Sequence, residues 1–136
     1  LFGHGTAIFI SDSQSEIGGS VMNYGTINTG DIPTNIGAHI NGPTSFGNTD
    51  TISGKNNTLI RAGNGAVIHN ANNGNMAVKE NGAGGILESF DANKQTTLRN
   101  DGNIESEDGT AVYSSGSVVE NQGNISSRRT AVVIDE

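Results

Sequence analysis

The chain has 136 residues, a formal net charge of −7 and no cysteine. That is room for about one domain, with neither a disulfide framework nor a thiolate metal site. Only 7 residues are Lys or Arg, and only Arg128 and Arg129 are adjacent, so no basic stripe tracks phosphates and neither nucleic acid nor an anionic membrane surface is expected as a partner.

No apolar run approaches the roughly 20 residues that span a bilayer, so this segment is not expected to insert into one. Hydrophobic residues are 32% and aromatics 4% of the chain, with Gly, Asn, Ser and Thr abundant. Such a composition fits either disorder or a solenoid whose coils need many turn residues and few inward aliphatics. Periodicity decides between them. The first residue is Leu1 rather than Met and nothing resembles a signal peptide, so the chain is expected to be a segment of something longer.

In chain order, the first element is the β-branched run Ala7-Ile-Phe-Ile10. The pattern Asn-x-Gly/Asp-x-aliphatic then appears as Asn23-Tyr-Gly-Thr-Ile27. Residues 29–45 contain Pro33 and Pro43, which cannot donate to a strand ladder, so a loop excursion is expected there, around the short run Ala38-His-Ile40. The pattern returns as Asn48-Thr-Asp-Thr-Ile52, followed by the run Leu59-Ile-Arg-Ala62, and again as Asn72-Asn-Gly-Asn-Met76. Residues 77–85 are glycine-rich and read as a second loop excursion before Ile86-Leu87. The last two copies are Asn100-Asp-Gly-Asn-Ile104 with Ala111-Val-Tyr113, and Asn121-Gln-Gly-Asn-Ile125 with Ala131-Val-Val-Ile134.

One copy per roughly 21–28 residues suits one coil of a parallel solenoid better than a hairpin, although Asn-Gly and Asp-Gly are also hairpin signals. A helical reading fails, because apolar residues do not recur at three and four. The register predicts an all-β parallel β-helix of five to six coils covering residues 1–136, without complete caps. It also predicts columns of equivalent residues. Ile27, Ile52, Met76, Ile104 and Ile125 form an aliphatic spine. Asn23, Asn48, Asn72, Asn100 and Asn121 form an amide ladder, with the Gly or Asp supplying an unusual turn conformation. An apolar residue stands two positions before each Asn (Val21, Phe46, Leu98, Val119), except in the third copy, where Asn70 occupies that place. The expected neighbours across coils include Arg99 beside Glu120 and Arg61 beside Glu88.

The modules Thr110-Ala-Val-Tyr113 through Asn121-Gln-Gly-Asn-Ile125, and Leu98-Arg-Asn-Asp-Gly-Asn-Ile104, resemble passenger domains of Gram-negative autotransporters, more broadly the pertactin-like and adhesin-type β-helices of type V secretion. The resemblance is best over Thr97–Glu136, weaker over Leu1–Ile27 and loosest over Thr29–Gly85. It implies a right-handed helix, export through the outer membrane, and a place at the cell surface or outside the cell. It also implies adhesion or self-association, with a host-surface or matrix glycan or protein, or a like solenoid, as partner. No C-terminal barrel pattern is present, so a translocator is expected outside this chain.

Candidate chemistry is sparse. The acidic groups Glu105, Glu107 and Asp108, and Asp135 with Glu136, have no charged counterpart on a neighbouring coil, as paired carboxylates for glycoside hydrolysis would need. Calcium solenoids carry an acid in every coil, whereas the turn position here holds Tyr24, Thr49, Asn73, Asp101 and Gln122. His4, His39 and His69 share no zinc spacing. Ser114-Ser-Gly-Ser117 lacks a nucleophile-elbow context, and Gly82-Ala-Gly-Gly85 lacks a following helix or Lys for phosphate. No catalytic residue, cofactor or metal is therefore assigned, and an enzyme is not expected. The surface with chemical content is the outward face of the second strand of each coil, where alignment gives Phe9, His39, Arg61, Glu88, Tyr113 and Val133 as a candidate binding face. The alternative is a polysaccharide-processing or polysaccharide-binding β-helix of tailspike or lyase type. An ice-binding solenoid needs a regular Thr array, and Thr here is irregular.

Overall fold

The computed structural model describes residues 5–11, 19–89, 91 and 93–135. Successive strands visit three parallel walls in turn. The first wall is β1 (Thr6–Ser11), β4 (Ile36–Asn41), β7 (Thr58–Gly63), β10 (Ala83–Glu88), β13 (Thr110–Ser115) and β16 (Thr130–Asp135), hydrogen-bonded in that order. The second is β2 (Ser20–Asn23), β5 (Ser45–Asn48), β8 (Val67–Asn70), β11 (Thr97–Asn100) and β14 (Val118–Asn121). The third is β3 (Thr26–Asn28), β6 (Thr51–Lys55), β9 (Asn75–Lys79), β12 (Asn103–Ser106) and β15 (Asn124–Ser127). Every pairing is parallel, so the chain is an all-β parallel β-solenoid; four complete turns separate the outermost strands of each five-stranded wall.

The core is a set of columns, one side chain per coil. Ile27, Ile52, Met76, Ile104 and Ile125 are register partners, and the middle three have no exposed surface. A second column, Val21, Phe46, Ile68, Leu98 and Val119, comes from the second wall. The first wall contributes Ile10, Ile40, Ala62, Leu87 and Ser114, with Ile134 exposed at the end of the column. Each large aliphatic fully buried this way contributes about 1.5–3 kcal/mol of transfer free energy. Ser114 is the odd member: its Oγ is the one buried side-chain oxygen or nitrogen without a hydrogen-bond partner among the described residues.

The turn between the second and third walls carries the amide ladder, with one member changed. Asn23 donates to Asn48 at 2.8 Å, Asn48 to Asn70 at 2.9 Å, Asn70 to Asn100 at 2.8 Å and Asn100 to Asn121 at 2.9 Å. Asn72, the residue expected from the motif, is exposed in the turn instead. The third copy has a longer turn, residues 71–74, folded on itself by a hydrogen bond from Gly74 N to Ala71 O of 2.8 Å. Counting back from Met76 therefore lands inside the turn. With Asn70 as the rung, Ile68 stands two positions before it and an apolar residue holds that place in every copy.

The motif glycines Gly25, Gly74, Gly102 and Gly123 are also explained differently from expectation. None has positive φ. A Cβ on Gly102 would lie 2.3 Å from both Ala71 O and Gly74 O, and one on Gly123 would lie 2.2 Å from Gly102 O. At Gly74, Gly102 and Gly123 glycine is required by the close approach of stacked turns, whereas at Gly25 nothing lies within 4 Å.

The two expected loop excursions are drawn too wide. Within 29–45, β4 is a regular member of the first wall. Within 77–85, Ala77 to Lys79 belong to β9 and Ala83 to Gly85 to β10. Pro33 and Pro43 do lie between strands. β-Strands of this wall tolerate glycine where backbone approaches backbone: a Cβ on Gly84 would meet Ala111 O at 2.7 Å. Glycine richness there signals packing, not a loop.

Candidate binding wall

The outward face of the first wall begins with Phe9, whose side chain is pushed out because Ile8 and Ile10 point in. Phe9, His39, Arg61, Ile86, Tyr113 and Val133 are successive register partners. Five of the six residues expected in this column are therefore in it. Glu88 is not: it pairs with Gly63 and Ser115, two residues further along the same face. Ile86 takes its place because β10 starts at Ala83 rather than after Gly85. Glu88 still meets Arg61, reaching diagonally so that Arg61 Nη2 donates to Oε1 at 3.2 Å and to Oε2 at 3.4 Å.

Phe9 and His39 meet edge-to-face with ring centroids 5.1 Å apart, and Phe9 is still 61% exposed. Further along, Tyr113 Oη donates to Asp135 Oδ2 at 3.1 Å, which raises the Tyr113 pKa first through that bond and then through the carboxylate's charge. The pKa of His39 is lowered, mainly by burial and then by the Arg61 charge, while Glu88 pulls it the other way.

Between Asn41 and Glu88 the wall carries Gly63, which has no side chain, and the gap is a notch of about 150 Å³. His39, Asn41, Arg61, Asn64 and Glu88 surround it. Asn64 holds φ 53°, a left-handed conformation that Asn tolerates better than most residues, and its amide bonds Asn41 Oδ1. Sequence reasoning missed Asn41 and Asn64. The Asn64-Gly65 turn pair was the available signal, since it ends β7 beside the wall. An aromatic edge, a guanidinium–carboxylate pair and two carboxamides around a shallow notch can hydrogen-bond a polyhydroxyl ring or a polar protein loop.

Several of the other charged groups are engaged locally. Arg128 Nη2 lies 3.2 Å from Glu107 Oε1 and 2.9 Å from Asp108 Oδ2, while Glu105 sits in β12 rather than in the turn. Arg99 and Glu120 are register partners, as expected. The Arg99 guanidinium nevertheless turns to Asp101 at 3.1 Å, a carboxylate that also meets His69 Nε2 at 2.7 Å. Those contacts, the His69 hydrogen bond foremost, lower the Asp101 pKa. Among the described residues no three His, Cys, Asp or Glu side chains are grouped to hold a metal ion; His4 and Glu136 lie outside the described residues. No protein family, curated protein or solved structure matches this chain.

Proposed function

We propose that this chain is a right-handed β-helical segment, five to six coils long, of an exported autotransporter-type passenger in a Gram-negative bacterium, displayed at the cell surface or released outside it. It serves adhesion or self-association through its first wall, with a host-surface or matrix glycan or protein, or a like solenoid, as partner. The observation that carries the reading is the register of Phe9, His39, Arg61, Ile86 and Tyr113 along one flat parallel face, beside the Gly63 notch. Parallel walls space such groups at about 4.8 Å, so a repeating partner meets several of them at once and weak contacts multiply.

The test is surface display of the chain on a non-clumping bacterium. Clumping, or retention on glycan- or matrix-coated beads, is expected, and the double substitution Arg61→Ala with Tyr113→Ala should reduce it strongly. Equal adhesion by parent and variant would remove the first wall from the reading. The alternative, a polysaccharide-binding or polysaccharide-processing β-helix, draws support from the notch, whose polar rim suits a sugar ring. New reducing ends or unsaturated uronates after incubation with polysaccharides would favour processing over adhesion.

A further inference from the structure

The third wall carries a groove of its own, near 460 Å³, lined among others by Asn28, Asp31, Ser53, Lys55, Ala77 and Lys79. Lys55 and Lys79 are both exposed and are direct register partners on β6 and β9. Each stands three positions after its spine residue, Ile52 or Met76. Strand spacing of about 4.8 Å sets their backbones side by side, and like charges directly opposite in a sheet are destabilising. The juxtaposition is unusual in a chain with 14 acidic and 7 basic residues. Glu80 pairs with Lys55 at 3.3 Å. Lys79 has no carboxylate within ion-pair reach among the described residues.

Asn28, Ser53 and Asp31 add polar groups to the lining. Asn28 Oδ1 is occupied by the Gly30 N–H at 2.7 Å, which leaves the Asn28 amide hydrogens as donors. The Ser53 hydroxyl makes no bond within the described chain. Asp31 places a carboxylate in the same groove. Two ammoniums, one of them already partly neutralised, call for a single negative charge. Asp31 and the net charge of −7 disfavour a ligand that brings several negative charges into the groove at once, so one carboxylate per sugar ring suits it, and a carboxylate on the protein is an acceptor for hydroxyl groups.

We propose that this groove binds an acidic saccharide, a uronate or sialate unit, whose carboxylate bridges Lys55 and Lys79 while Asp31, Asn28 and Ser53 hold its hydroxyls. The inference goes beyond the first-wall reading, because the groove lies on a different sheet and its failure leaves that reading untouched. The experiment is a titration of the isotope-labelled chain with oligogalacturonate, a neutral galactose oligomer of the same length, and inorganic sulfate, followed by amide resonances. Oligogalacturonate should move resonances of residues 28–31, 53–55 and 77–79, and the neutral oligomer should not. Lys79→Gln should weaken binding by about tenfold or more, as expected for a lost charge-assisted hydrogen bond, whereas Lys94→Gln should bind as the parent does. Binding unchanged in Lys79→Gln, shifts confined to the first wall, or no shift at all would overturn the proposal. Sulfate competing as well as the oligosaccharide would reduce the groove to a simple anion site and overturn it equally.

Discussion

The two corners that flank the third wall solve one problem in opposite ways. At the corner entering it, a single residue type does the work in every coil: one Asn per turn bonds the next along the axis, and the turns are residues 24–25, 49–50, 71–74, 101–102 and 122–123. At the corner leaving it, the connections are residues 29–35, 56–57, 80–82, 107–109 and 128–129, and each is held by its own means. Thr29 Oγ1 donates to Asn57 Oδ1 at 2.7 Å, and the Asn57 amide reaches three backbone carbonyls. Ser106 Oγ donates to Gly82 O at 2.6 Å, and Ser127 Oγ to Gly109 O at 2.7 Å.

An amide ladder needs every rung at the same height, so it admits extra residues only after the rung, as in the third turn. Side chains that bond to backbone carbonyls set no such condition, since a carbonyl is available wherever the chain passes. Of these two corners, the second therefore takes more of the length variation, and the lysine groove lies beside it.

The largest expected effect tests the ladder. Asn70→Ala removes the acceptor of Asn48 and the donor to Asn100, both of them fully buried. Losing these two bonds, together with those from Asn70 to Gly74 O and Asn103 O, should cost about 3 kcal/mol. Asn72→Ala, at an exposed position, should stay within about 0.5 kcal/mol of the parent. Urea unfolding of the two variants decides which Asn is the rung, and equal midpoints would refute the assignment.

The glycines of the same corner give a finer test. Gly102→Ala must push a methyl into Ala71 O and Gly74 O, and should cost about 2 kcal/mol. Gly25→Ala meets nothing within 4 Å, so it should be neutral or slightly stabilising. If both variants lose the same stability, turn conformation rather than stacking is what demands glycine.

These contrasts also mark what could be read from the residues. The aliphatic spine was legible because each member follows a short turn at a fixed offset, and an inward Ile in a narrow core has no alternative place. The Asn70 rung was not, because Asn70, Asn72 and Asn73 crowd one turn and only the backbone path separates them. Glu88 was misplaced by two positions because glycines in β10 imitate a loop. The lysine groove was within reach: the correctly aligned spine already puts Lys55 beside Lys79, and only the position of Asp31 required the three-dimensional path of residues 29–35.

Two buried serines, both without exposed surface, sharpen the comparison at lower energy. Ser106, at the second corner, donates to Gly82 O and accepts from Gly109 N at 3.0 Å, so Ser106→Ala should destabilise by about 1–2 kcal/mol. Ser114, in an aliphatic column away from the corners, has no partner, and Ser114→Ala should stabilise by about 1 kcal/mol as an unpaired hydroxyl is removed. Thermal unfolding of the pair should therefore show shifts of opposite sign. Shifts of the same sign would mean that the Ser114 hydroxyl does find a partner in solution.

The smallest effect expected is a pH dependence on the first wall, beyond the second corner. His39 titrates below its usual 6.5 because burial, and then Arg61, disfavour the charged ring, with Glu88 opposing them. The folded chain then binds a proton less readily than the unfolded one. Stability from this residue is complete above pH 6.5 and is lost as pH falls through the lowered value. Asp101, whose pKa lies below 3.8, contributes nothing in that window. Melting temperatures measured from pH 7.5 down to pH 5 should fall more for the parent than for His39→Gln. The neighbours fix the sign independently: Arg61→Gln should flatten the slope by removing a charge that opposes protonation, and Glu88→Gln should steepen it by removing one that assists. Slopes that move in the reverse order would refute the roles of Arg61 and Glu88 in the His39 shift.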